Sequence, residues 1–240
     1  MVRIAARIYI LVSIALCSAG AYSQTSGDIL ARAEARVRQI DSLNRTVSGS
    51  FIQHVKAIYA LGDQAGTAAK TYKITVVDGE QDSRTPIPAT DTASMPIRNA
   101  PRSTDVFALR DVVFPYKATL EKATGDHSLH SEFDRDSSIG GTPCYTIYFE
   151  YYADMDSSHV HGGGRVWISK TDYTPVLSSY DFDGSNIVRG KFASDVVVKV
   201  LPVKQTAVIG ENITHISFTN GKDDLGGETT KVRNSDFDIK

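Results

Sequence analysis

The sequence reads as a mainly β (α+β) protein, a strongly curved antiparallel sheet covered by one to three helices. Three observations predict this. An amphipathic helix opens the chain after a short apolar leader; period-two alternation then recurs towards the C-terminus; and the alternating segments are joined by turns too short for parallel crossovers. A long antiparallel sheet must cover its apolar face. The early helix favours a sheet wrapped over helices, with a hydrophobic space between the layers.

The leader carries Arg3 and Arg7, then an apolar run over residues 8–16, then small residues ending at Ala21 and Ser23. This is the layout of a secretory signal peptide over residues 1–23, with cleavage expected before Gln24. The run is too short for a bilayer span, which needs about 20 apolar residues. Cys17 offers the alternative of a lipid anchor, although Leu16 stands where lipoprotein processing favours a small residue. Residues 24–240 are expected to form one domain, periplasmic or otherwise exported. Losing Arg3 and Arg7 takes the formal net charge from −2 to −4, which argues against a nucleic-acid partner. Cys144 is then the only cysteine left, so the fold rests on packing rather than crosslinks. Asn44-Arg-Thr46 and Asn212-Ile-Thr214 match the glycosylation pattern, which is common by chance.

The helix is expected over residues 28–43, where Leu30, Ala33, Val37 and Ile40 form one apolar stripe and Ser26 or Asp28 can cap the first turn. From Val47 the period becomes two: Phe51, Val55, Ala57 and Tyr59 share a side, and Tyr72, Ile74 and Val76 repeat the pattern. Residues 79–104 contain Pro86, Pro88, Pro96 and Pro101 and read as a long loop or flap. Residues 105–116 are apolar and fit either a helix or a strand. Tyr145, Ile147, Phe149 and Tyr151 then alternate, strands follow at residues 165–169 and 176–182, and Asp183-Gly184 reads as a hairpin turn. Further strands are expected at 187–201, 213–218 and 231–239, giving about ten strands in all.

Catalytic signatures are missing: there is no Gly-x-Ser-x-Gly elbow, His-Glu-x-x-His helix, phosphate loop or dinucleotide fingerprint. The expectation is therefore a protein that is not an enzyme and needs no cofactor. The strongest competing signal is His159 and His161, which would share a face on a strand and could hold zinc or copper with Asp154 or Asp156. A polar hairpin loop is the plainer reading, because Gly162, Gly163 and Gly164 follow directly. His127 and His130 sit in a polar stretch and read as solvated. Cys144 reads as a buried, inert thiol. Trp167 faces the opposite side of its strand from Val166 and Ile168, so both faces of that strand are apolar.

Residues 164–176 read Gly-Arg-Val-Trp-Ile-Ser-Lys-Thr-Asp-Tyr-Thr-Pro-Val. This resembles a hairpin of the outer-membrane lipoprotein-sorting and periplasmic lipoprotein carrier (LolA-like) superfamily. The opening helix, the segment from Val47 to Phe51 and the strand from Tyr145 to Phe149 are similar to that family's elements. The resemblance implies an incomplete β barrel closed by helices, whose greasy cavity takes lipoprotein acyl chains or other lipids. It also implies a monomer with envelope membrane-protein partners. A cavity of this kind would draw on Phe51, Tyr72, Ile147, Phe149, Trp167, Tyr180 and Phe182. Burying a CH₂ group is worth about 0.8 kcal/mol, so an acyl chain needs a dry space more than a polar motif. The alternatives are a sensory or structural envelope module that binds a partner protein, and a metal-dependent hydrolase using His159 and His161.

Overall fold

The computed structural model describes residues 24–61, 64–88, 92–93, 106–156, 158–186, 190–220 and 223–240. The leader and Cys17 lie outside the described residues. Helix α1 spans Ser26–Asn44, α2 Leu109–Val113 and α3 Pro115–Glu121. The strands are β1 Gly49–Leu61, β2 Gln64–Val77, β3 Glu80–Pro86, β4 Thr92–Ala93, β5 His127–Ile139, β6 Thr142–Met155, β7 Ser158–Ser169, β8 Pro175–Asn186, β9 Gly190–Val203, β10 Thr206–Asn220 and β11 Asp223–Ile239. They form one sheet in the order β3-β2-β1-β11-β10-β9-β8-β7-β6-β5, with β4 pairing β2, and the described pairs are antiparallel. The sheet is open, with β3 and β5 as its edges. Register shifts interrupt most pairings, and each such bulge adds local bend and twist.

Helix α1 forms where the stripe places it. Ile29, Leu30, Ala33, Val37 and Ile40 are buried, and each larger side chain gains about 1.5–3 kcal/mol from that burial. The cap is Thr25, not Ser26 or Asp28. Thr25 and Asp28 form a reciprocal capping box, so Asp28 serves as its third helical residue. The helix lies across the strands. Its N-terminus reaches β5, where Ser26 Oγ donates to the Ser131 carbonyl at 3.0 Å. Its C-terminus reaches β10, where Asn44 Nδ2 donates to the Ala207 carbonyl at 3.1 Å. Nineteen helical residues span about 28 Å, which matches the roughly 24 Å between strands five places apart.

The described part of the apolar stretch at 105–116, residues 106–116, resolves in favour of helix, and residue 105 lies outside the described residues. Pro115 opens α3, where its missing N–H costs nothing. The first turn of α2 is capped from outside: Asp41 of α1 accepts from the Leu109 and Arg110 amides at 2.9 and 3.1 Å. Burial raises the Asp41 pKa above the usual carboxylate value despite those bonds. The expected loop over residues 79–104 is corrected in part. Residues 80–86 form β3, an edge strand on which Pro86 is the last residue and so removes no interior ladder bond. Asp183-Gly184 is not a turn but lies within β8, with Gly184 opposite Phe192. The strands predicted at 213–218 and 231–239 extend to 15 and 17 residues.

Two large apolar clusters and a small one at Ala57, Tyr59 and Ala68 lie on the inner face. Of the large ones, one joins α1, α2 and α3 to β6, β7, β8, β9 and β10; the other gathers Val47, Phe51, Ile74, Val76, Phe107 and Val208. Asn44 pins their junction. It is buried, its Nδ2 also donates to the Phe107 carbonyl at 2.9 Å, and its Oδ1 accepts from Thr206 Oγ1 at 2.5 Å. The glycosylation match there therefore falls on an enclosed side chain. Asn44→Ala should leave the Phe107 and Ala207 carbonyls short of a donor and lower stability by about 2–3 kcal/mol. Urea unfolding should show a lower midpoint at unchanged slope.

Candidate functional site

The seven sequence-derived cavity residues fall into four settings. Phe51, Ile147 and Phe149 are fully enclosed: Phe51 stacks on Phe237 and meets Phe107 edge-on, while Phe149 lies 5.3 Å from the Tyr116 ring of α3. These side chains pack the core, Ile147 and Phe149 beneath the helices and Phe51 beneath Phe107, rather than line an opening. Trp167 stands on the outer face, beside Thr146 and Leu177 by register, on the opposite side of β7 from the buried Val166 and Ile168. Tyr72 lies on the inner face of β2 under the Arg84 guanidinium, 3.8 Å from the ring centre. Tyr180 and Phe182 remain, and they lead to a different place.

Beyond the helices the inner face carries an aromatic floor. Tyr180 stacks on Phe182 at 6.4 Å, Phe182 meets Phe192 edge-on at 6.0 Å, and Phe192 is opposite Phe218 in the ladder. Phe218 is 36% exposed, and Phe182, Phe192 and Ile216 are half-buried. Glycines sit opposite the rings: Gly162 against both Tyr151 and Phe182, Gly184 against Phe192, Gly226 against Phe218. A Cβ at Gly184 would come within 2.7 Å of the Phe192 ring, and one at Gly162 within 2.6 Å of the Tyr151 ring. Those two rings therefore lie over bare backbone instead of standing between side chains. Burial raises the Tyr180 pKa strongly and that of Tyr151 to about 12, so both phenols stay neutral.

A polar border flanks this floor. Glu228 and Thr230 are buried on the inner face of β11, with Thr230 Oγ1 donating to Glu228 Oε1 at 2.9 Å. Ser194 lies between Phe182 and Ile216 in the ladder, and its buried hydroxyl has no hydrogen-bond partner among the described residues. Further along, Arg84 Nη2 donates to Gln53 Oε1, Gln53 Nε2 to Asn234 Oδ1, and Asn234 Nδ2 to the Ile209 carbonyl. Phe192, Ile216 and Phe218 were not singled out from the sequence. The available signal was the alternation of Phe192, Ser194, Val196, Val198 and Val200, but pairing with glycine becomes visible only once the register is known.

His159 and His161 do share one face of β7, the outer one, and each is turned to a carboxylate. His159 Nδ1 lies 2.5 Å from Asp154 Oδ1, and Asp154 also accepts from the Tyr152 hydroxyl. His161 Nε2 lies 2.9 Å from Glu150 Oε1, and its Nδ1 lies 3.5 Å from Asp183. Among the described residues no group of three or more His, Cys, Asp or Glu has an arrangement that could hold a metal ion. The segment is a strand pair rather than a polar loop, with Asp154 opposite His159. His127 and His130 are exposed on β5. Cys144 is buried and free, and burial raises its pKa.

The hydrogen bond to Glu150, then the charge of Asp183, raise the His161 pKa above its ordinary 6.5. The imidazolium form therefore stabilises the fold below about pH 6.5, and that contribution is lost as pH rises through the folded-state pKa. The side chain is half-exposed, so the effect is small. His161→Gln should be less stable than the parent at pH 5.5 and equal to it by about pH 9. Urea midpoints and the imidazole NMR titration check this.

No family model matches the chain, and no curated protein matches it in sequence. Two solved structures are similar to it. One is an outer membrane lipoprotein-sorting protein domain from Vibrio parahaemolyticus, 15% identical over 87% of this chain and 92% of that one, with a TM-score of 0.32. The other is a DUF1329 family protein from Desulfovibrio piger, 11% identical over 87% and 90%, also with a TM-score of 0.32. At that score no residue role passes from either structure to this chain.

Proposed function

We propose that this chain is an exported, non-enzymatic protein that holds acyl chains of lipids or lipoproteins on the aromatic floor of its inner face. The observation that carries this reading is the run of partly exposed apolar side chains, Phe182, Phe192, Ile216 and Phe218, on the face that elsewhere forms the core. The outer sides of the same strands are polar at the neighbouring positions, Asp183, Ser217 and Thr219. Covering apolar surface gains about 25 cal/mol per Å², so a hydrocarbon chain laid along the rings binds without any exact polar contact. Rings lying over glycine leave a low, smooth floor that suits an elongated ligand. No helix among the described residues is long and apolar enough to cross a membrane.

A second reading, a module that docks a partner protein, draws support from edge strand β5. Its Leu129 and Phe133 are 41% and 46% exposed on the edge strand of the sheet. The charged residues of β5 and the register shift after Phe133 work against such pairing.

Native protein purified without detergent should release acyl-bearing molecules into organic solvent, seen by mass spectrometry. It should also take up an anilinonaphthalene probe, and Phe218→Ser should weaken uptake about fivefold or more while leaving thermal stability nearly unchanged. Absence of both lipid and uptake would reject the carrier reading and leave the partner-binding one.

A further inference from the structure

Strands β8 and β9 pair from Asn186 and Gly190 as far as Leu177 and Lys199, and then part. Between Pro175 and Val176 on one side and the end of β9 on the other lies a cleft of about 260 Å³. Its depth is apolar: Val200 and Ala207, both core residues, line it together with Val176. Its rim is cationic. Arg36 reaches over from α1, and Lys204 stands on the β9–β10 turn. The hydroxyl residues Ser169, Thr174 and Thr206 complete the wall.

The Arg36 guanidinium is only partly used. Its Nε donates to Thr174 Oγ1 at 3.3 Å, and among the described residues its two Nη groups have no partner. Asp172 also lines the cleft, but it accepts from the Thr174 amide at 3.2 Å and the Thr174 hydroxyl at 2.7 Å. Burial opposes its charge, yet those bonds, one from Ser169 and the nearby Arg36 hold its pKa below the usual value. The lining thus carries two cations, Arg36 with its Nη groups unused and Lys204 with its Nζ donating to the Ile239 carbonyl, and one carboxylate occupied by Thr174. Lys204 adopts φ 52°, a left-handed conformation that suits Gly or Asn better than Lys. Its side chain bonds the Ile239 carbonyl and stands on the rim of the cleft.

We propose that this cleft is a binding site for an oxyanion, a carboxylate or phosphate, carried on a short apolar group. The free fork of Arg36 matches two anionic oxygens, Lys204, anchored through Nζ on the Ile239 carbonyl, adds a second positive charge at the rim, and the apolar depth takes the attached group. The site is separate from the aromatic floor. Val176 and Phe182 lie six residues apart along β8, about 20 Å. It stands or falls independently of acyl binding there.

The test is a ¹⁵N NMR titration of the full exported chain with butyrate, 1-butanol and inorganic phosphate at constant ionic strength. Butyrate is too short to act as an acyl cargo. It should shift the Thr174, Gln205 and Thr206 amides and the Arg36 Nε–H saturably, and 1-butanol should not. Arg36→Gln should weaken butyrate about tenfold, and Lys204→Asn, which fits the turn, should weaken it about threefold with other spectral changes confined to the turn and to the Ile239 region, where the Lys204 Nζ bond is lost. Phosphate saturating the same amides as tightly as butyrate also supports the site and makes a free oxyanion its ligand. Equal shifts by butyrate and 1-butanol, or unchanged butyrate affinity in both variants, would overturn it.

Discussion

Helix α1 can cover only as much sheet as it is long. Ten strands at about 4.8 Å spacing make a surface roughly 43 Å across, and a helix of 19 residues laid crosswise covers about 28 Å of it. Its stripe of Ile29, Leu30, Ala33, Val37 and Ile40 therefore fixes which strands form a sealed core. Asn44 and Asp41 at its far end then set where the segment after residue 105 must dock. The remainder of the inner face needs another solution. One part is closed by Phe107 over Phe51, and another is the floor of rings over glycines. The division between filled core and accessible floor follows from helix length, not from the composition of the strands.

The polar chain from Arg84 through Gln53 and Asn234 to the Ile209 carbonyl crosses five strands of the inner face. The Ile209 carbonyl lies at the register shift next to Gly210. Each bond contributes about 1 kcal/mol, but loss of one member would strand the others away from water at greater cost. Such a row pins register, because sliding any strand by one residue would turn its polar member to the outer face. It also separates the cluster around Phe51 from the small one at Ala57, Tyr59 and Ala68. The inner face is thus not one continuous greasy surface, and an apolar ligand on β8, β9 and β10 would meet a hydrogen-bonding border.

Local periodicity made much of this legible. The stripe of α1 and the alternation of Tyr145, Ile147, Phe149 and Tyr151 depend on nearest neighbours along one element, and they came out as written. What was not legible depends on partners distant in sequence. Asp183-Gly184 carries the chemistry of a tight turn, yet the glycine is there to admit the Phe192 ring. The helices at residues 109–121 depend on Asp41, some seventy residues earlier. Period two places Phe51, Ile147 and Phe149 on the inner face correctly, but it cannot say that Phe107 covers the first and helices cover the other two. The shared face of His159 and His161 was readable, whereas the carboxylates of Glu150 and Asp183 come from neighbouring strands.

The aromatic floor is informative because the sequence had a simple way to avoid it. A strand end that projects past its covering helices can alternate polar residues on both sides, and the outer face there does so with His215, Ser217 and Thr219. The inner positions of the same strand are Ile216 and Phe218, and across the ladder they meet Ser194 and Phe192. Leaving these exposed costs solubility and gains no core packing, since neither Ile216 nor Phe218 belongs to the packed clusters. Gly184, Gly162 and Gly226 add a second cost, because glycine weakens a strand and is kept where something must approach the backbone closely. In two of those places the approaching group is a ring of the protein itself, lying on a neighbouring strand. The arrangement lowers these rings towards the sheet and leaves Phe218 and Ile216 outside the packed clusters, a geometry that a self-sufficient core does not need.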